Sequence, residues 1–185
     1  PAPPREQGFR MPAEWERQEA IWLSWPSHPE SWPNKAATIE RQFAEIAAAI
    51  SRHQAVRINA TAEAHSRIEQ ALKAANAEMD RVQLYVHPNN DVWCRDHGPI
   101  FVKHRENGSL AITDWGFNGW GGKQVHGNDG KGAGRVAQRL ELPIHDNGLV
   151  GEAGGVEFDG RGTLIAHESS WVNDNRNRGS REAVG

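Results

Sequence analysis

The sequence predicts an α/β fold built from repeated units, and three observations carry that prediction. Stretches with helical spacing alternate with short apolar runs. Two hairpin turns, Asn107-Gly108 and Asp159-Gly160, lie about fifty residues apart, an offset at which an internal repeat is to be suspected. Each turn also follows the same succession of helix, strand and acid-bearing loop. The first copy carries Asp96 in that loop and the second carries Glu152. Repeated units that pack around a common axis bring equivalent positions together, so the two carboxylates are expected to face one central site.

The elements follow in order. PAPPREQGFR, residues 1–10, reads as a flexible lead-in. Ile21 to Trp25 is a short apolar run ended by prolines, the pattern of a buried strand. From Thr38 to Arg52, apolar residues recur at Ile39, Phe43, Ile46, Ala47 and Ile50, which is helical spacing. AVRINA, 55–60, reads as a strand, Thr61 as an N-cap, and Ala62 to Ala75 as a second amphipathic helix. VQLYV, 82–86, is another strand. Ile100 to Lys103 and Leu110 to Trp115 flank Asn107-Gly108, a strong hairpin signal. The glycine-rich stretch 116–132 leads into a short helix, Ala133 to Leu140. LPIHD, 142–146, is a strand, and GVEFDGRGTLIAH forms the second hairpin.

Bulk properties narrow the function. A chain of 185 residues has a one-domain length. A net charge of −3 without a dense Lys/Arg run argues against nucleic acid as a partner. No apolar segment approaches a membrane span and no secretory signal is visible. One cysteine cannot form an internal disulfide, so a reducing compartment, the cytoplasm, is expected. The chain begins with Pro1 rather than Met, which suggests removal or cleavage at that end.

The chemistry concentrates around Asp96, Glu152, Trp93 and Trp120. Two carboxylates in an enclosed site repel, and a cationic ligand removes that penalty. A planar guanidinium suits them best: each carboxylate accepts paired N–H bonds while an indole covers the flat face. Trp120, among glycines, could add a second wall. The plainer reading is that such acids are turn or cap residues and such tryptophans core or loop anchors.

Four blocks then carry a family resemblance: MPAEWERQEAIWLSWP (11–26), NNDVWCRDHGP (89–99), DWGFNGWGG (114–122), and EAGGVEFDGRGTL with NDNRN (152–164 and 173–177). In order and spacing they resemble the agmatine deiminase and bacterial-type peptidylarginine deiminase family of guanidino-group-modifying enzymes. The resemblance implies a five-bladed α/β propeller (pentein) of ββαβ-type repeats, of which this chain is expected to supply roughly the first half as a single incomplete domain. It also implies hydrolysis of agmatine to N-carbamoylputrescine and ammonia through a cysteine thiouronium, without a cofactor. By motif, Asp96 and Glu152 are the catalytic carboxylates. Trp93 and Trp120 join them in binding substrate, Trp93 as the tryptophan beside it. Arg95 is expected in a salt bridge that fixes the loop, and His97 has no assured role.

Departures from the family pattern shape the remaining expectations. Relatives are about twice this long, and their His-x-Asp motif and nucleophilic cysteine have no counterpart here. The chain alone is therefore expected to be inactive and completed by the C-terminal half of the same enzyme, with a homodimer as a further expectation. If 89–99 is extended, Cys94 shares a side with Asp96, whose charge suppresses the thiolate. Cys94 then reads as a small apolar filler. Asp129 could face a substrate amine and Lys123 a carboxylate, though both are expected to be solvated. Alternatives are a protein- or free-arginine deiminase, or a catalytically silent guanidinium-binding fragment or subunit. A metal site at His87, Asp91, Asp96 and His97 lacks compact ligand spacing, and the glycine-rich loop lacks P-loop spacing.

Overall fold

The computed structural model describes residues 2–179. The chain gathers into two compact units. One is Arg17–Cys94 and the other is built from the chain on either side of it. The opening ten residues, read from sequence as a lead-in, contain a 3-10 turn at Pro4–Gln7 and a two-residue strand, β1 (Phe9–Arg10). The strand forms because its partner is remote in sequence: Phe9 and Arg10 pair antiparallel with His104 and Lys103.

The Arg17–Cys94 unit alternates strand and helix: β2 (Ala20–Ser24), α1 (Ala36–Ser51), β3 (Ala55–Ala60), α2 (His65–Ala74) and β4 (Val82–Val86). The three strands form a parallel sheet in the order β2-β3-β4. Burial alternates along β3, with Val56, Ile58 and Ala60 inward, as a pleated strand requires. These side chains join Ala44 and Ala47 of α1, and Ile68 and Leu72 of α2, in one apolar core. Trp25 is fully buried there, and its indole N–H donates to Glu40 at 2.9 Å, so no buried donor is wasted. At the far end of α1, Arg81 donates to the carbonyls of Ser51 and Arg52, supplying partners to a helix C-terminus that has none within the helix. Thr61 occupies the N-cap position ahead of a 3-10 turn, Ala62–Ala64, but makes no capping hydrogen bond.

After the short turn α3 (Cys94–His97), the second unit is a mixed sheet in the order β1-β5-β6-β7. Strands β5 (Ile100–His104) and β6 (Leu110–Gly116) form the hairpin predicted at Asn107-Gly108, where Gly108 adopts φ 72°. A helix, Gly132–Leu140, then returns the chain to β7 (Ile144–Val150), which lies parallel to β6. This is one ββαβ unit. The next hairpin, β8 (Val156–Phe158) with β9 (Leu164–Ala166), is antiparallel as expected. Asp159 shapes its turn by accepting from the backbone N–H groups of Arg161 and Thr163. The order helix, strand, acid, hairpin thus runs twice: α2, β4, Asp96, β5–β6, then Gly132–Leu140, β7, Glu152, β8–β9. No helix among the described residues is long and apolar enough to cross a membrane.

Candidate active site

The site is assembled from the two acid-bearing loops and the glycine-rich stretch. Asp91 starts the first loop by accepting the backbone N–H groups of Val92 and Trp93 on one carboxylate oxygen. The chain then winds into α3 rather than remaining extended. That corrects the alternating geometry expected of Cys94 and Asp96. In a helical turn the two are not on the common side of a strand, and the Cys94 thiol instead donates to the Trp22 carbonyl at 3.3 Å. Arg95 forms the expected ion pair, with Glu14.

Asp96 accepts a hydrogen bond on Oδ2 from the Trp120 indole N–H at 3.0 Å. The geometry that brings the indole there is unusual. Gly119, Trp120, Gly121 and Gly122 all have positive φ, at 68°, 58°, 82° and 78°. A left-handed residue with a Cβ costs roughly 1–2 kcal/mol, so Trp120 is held in place by its surroundings. Asn118 accepts from Gly121 N at 2.8 Å, and Phe117 meets the indole edge-on with centroids 5.0 Å apart. At Gly119 a Cβ would come within 2.5 Å of the Gln124 carbonyl.

The second acid arrives on the end of β7. Glu152 is 8% exposed, and the Arg176 guanidinium closes on it. Arg176 Nε lies 3.0 and 2.9 Å from the two carboxylate oxygens, and Nη2 lies 2.9 Å from Oε1. Two residues on, Gly154 packs against Asp96 so closely that a Cβ there would collide with Oδ1. Gly121, next to Trp120, lies against Asn175 and Arg176. Asp96, Trp120, Arg176 and Glu152 are therefore linked in one cluster, through Gly121 on one side and Gly154 on the other. The arrangement can hold a planar cation at a carboxylate, and on Glu152 it already does so with an arginine of the chain.

Of the four residues singled out from sequence, Asp96 and Trp120 touch directly, and Glu152 joins them through Gly154 and Arg176. Trp93 belongs to the Arg17–Cys94 unit and is 58% exposed. Arg176 is the participant that composition did not single out; its signal was a cation among asparagines in NDNRN. Asp129 corrects the solvated reading. It is 2% exposed, with Oδ1 3.8 Å from His97 Nε2, because the loop folds its carboxylate inward towards a buried imidazole. Lys123 is exposed. Among the described residues no group of three or more His, Cys, Asp and Glu is placed to hold a metal.

One ββαβ unit followed by a second acid-bearing loop and hairpin is an α/β arrangement, and the likeness to solved deiminases gives it as the pentein fold. Over residues 10–184 the chain matches the Porphyromonas-type peptidyl-arginine deiminases, and it belongs to that family. It is 38% identical to the agmatine deiminase of Stutzerimonas stutzeri and 34% identical to that of Pseudomonas aeruginosa, in each case over 94% of this chain and 47% of the relative. The solved agmatine deiminase of Enterococcus faecalis superposes with a TM-score of 0.89 at 29% identity, over 98% of this chain and 50% of that one. The chain spans about half the length of the relatives it matches.

Proposed function

We propose that the complete protein hydrolyses a guanidinium, agmatine before others, to a ureido product and ammonia. One observation carries the reading: the Asp96 and Glu152 loops meet, through Gly154, beside an indole that already steers Asp96. The agmatine deiminases among its relatives supply the substrate. In this reading Asp96 grips the incoming guanidinium through a charge-assisted bond, Trp120 fixes the carboxylate, and Trp93 lies beside the substrate. Glu152 is the second acid.

A thiolate attacks the guanidinium carbon, the C–N bond breaks, and ammonia leaves with a proton supplied by an acid. Water then attacks the thiouronium and expels the thiolate, leaving the urea. In this reading Cys94, the one cysteine of this sequence, is a filler and not that thiolate, which its thiol's contact with the Trp22 carbonyl supports. On the same reading the attacking cysteine and its histidine belong to the remaining half of a cytoplasmic enzyme, as the family resemblance implies, and the chain alone is inactive. The family match to peptidyl-arginine deiminases favours arginine, free or in a peptide, as the second substrate class to try.

Ammonia release from agmatine, arginine and a peptidyl-arginine tests this directly. Agmatine should be turned over fastest. Asp96→Asn should lower the rate about 10³-fold, as expected when one partner of an enclosed charge pair is removed. Cys94→Ser should keep most activity. Equal losses in the two variants would sink the assignment, and ammonia released by the isolated 185-residue chain would sink the division of the site.

A further inference from the structure

We infer that Arg176 is a positioning residue: it holds the Glu152 carboxylate in place so that Asp96 alone makes the first contact with the incoming guanidinium. The inference rests on the deiminase reading above and deepens it.

Three observations support it. First, the pair is enclosed. The side chains of Arg176 and Glu152 are 16% and 9% exposed, against 52% and 41% for Arg95 and Glu14, so removing one partner would strand a charge away from water. Second, Arg176 is not a side chain reaching across from a loose loop. Its backbone N–H donates to the Asn173 carbonyl, and Asn118 donates to the Asn175 carbonyl at 2.6 Å. Asn177 closes on β7, donating to the Val150 carbonyl at 2.7 Å and accepting from the Val150 N–H at 2.9 Å, two residues before Glu152. The segment bearing the guanidinium and the strand that leads to the carboxylate are thereby clamped together. A substrate guanidinium competing for Glu152 would face a tethered rival whose ordering is already complete. Third, the acids differ in what they offer. Both oxygens of Glu152 are engaged by Arg176, whereas among the described residues Asp96 accepts a hydrogen bond on Oδ2 alone, its Oδ1 resting against Gly154. Asp96, Glu152 and Arg176 together carry one net negative charge, matching one guanidinium cation. Without Arg176 the two acids would carry two and repel.

The test uses the complete protein with agmatine as substrate, in five forms: wild type, Arg176→Lys, Arg176→Met, Glu152→Gln, and the Arg176→Met/Glu152→Gln double variant. If Arg176 acts through Glu152, Arg176→Met should lower kcat roughly 10²-fold with KM changed less than about threefold. Arg176→Lys, which keeps the charge and loses the planar fork, should recover about a tenth of the wild-type rate. In the Glu152→Gln background, Arg176→Met should cost nothing further. Multiplying losses, or a rise confined to KM, would overturn the positioning role and leave Arg176 as a clamp on its own segment. Arg176→Lys carries the test if the methionine variant does not fold.

A readout independent of turnover is the Arg176 Nε–H resonance in protein labelled with nitrogen-15. It should be protected in wild type and shifted in Glu152→Gln. An unprotected resonance in an active enzyme overturns the inference while the deiminase reading stands. A protected resonance in a wild-type protein that turns over none of the three substrates overturns the deiminase reading, and the positioning role with it.

Discussion

Nineteen glycines are present in this sequence, and none lies in Arg17–Cys94; every one falls in the unit that carries Asp96, Trp120, Glu152 and Arg176. The two units are therefore held by different means. Arg17–Cys94 is an alanine-rich scaffold in which three parallel strands and two helices enclose an apolar core around Val56, Ile58, Ile68 and Leu72. Its order comes from side-chain burial, which depends on volume. The site-bearing unit also buries apolar side chains, Ile112, Val136 and Val156 among them, but around its acids the order comes where side chains are absent or polar: four left-handed residues in a row, an Asn177 amide clamping a strand, a guanidinium on Glu152, and a glycine against Asp96. Its geometry depends on backbone atoms approaching where a Cβ would not fit. A scaffold of the first kind tolerates conservative changes of polarity at its surface, whereas a site of the second kind is sensitive to a single methyl group.

Paired substitutions can break that contrast. Ile58→Ala in the scaffold removes a fully buried side chain and should destabilise by about 2–5 kcal/mol, read as a lower midpoint in denaturant. In the complete protein its effect on the turnover of folded enzyme should be slight, unlike that of a change at the site. Gly154→Ala is the converse. The added methyl meets the Asp96 carboxylate, so that Asp96 or the Glu152 loop must move, and turnover should fall about 10²-fold, the loss expected from a misplacement near 1 Å. An Ile58→Ala protein that folds fully but loses most of its turnover, or a Gly154→Ala protein that keeps its turnover, would erase the distinction between the units.

The same contrast explains what could be read from sequence. In the scaffold, β3 and β4 lie where the apolar pattern puts them, and α1 and α2 fall within a few residues of their predicted bounds, because burying one face imposes a period of two or 3.6. Both hairpins were legible from their Asn-Gly and Asp-Gly turns, whose backbone demands are local. The site was legible only in part. Asp96, Trp120 and Glu152 stand out by residue type and motif, but Arg176 meets Glu152 across 24 residues with no periodicity to announce it. The extended reading of Cys94 and Asp96 failed because Asp91 turns the backbone into α3, a side-chain effect that alternation does not capture. Strand β1 escaped notice for the same reason as Arg176, its partner being some ninety residues away, where no local pattern reaches.

The finest test of the comparison lies in the site-bearing sheet itself. Asp114 of β6 and Asp146 of β7 are register partners in the parallel pairing, so like charges stand opposite one another. Partial burial, and then the Asp146 charge, raise the Asp114 carboxyl above its ordinary value of 3.8. The folded state thus binds the proton more tightly than the unfolded one. Below the ordinary value both states are protonated and nothing is lost. As pH rises from there through the raised value, the unfolded chain releases its proton first and stability falls; above that window the cost is complete. Asp114→Asn should therefore raise the melting temperature at neutral pH by a degree or so, the small shift expected of a half-buried charge on a sheet, with the gain vanishing below about pH 4. Melting curves that run parallel for the two proteins from pH 3 to 8 would mean that the sheet does not feel this charge pair. The order around the acids would then rest on the close backbone contacts and the Arg176–Glu152 pair, and the contrast with the scaffold would be sharper.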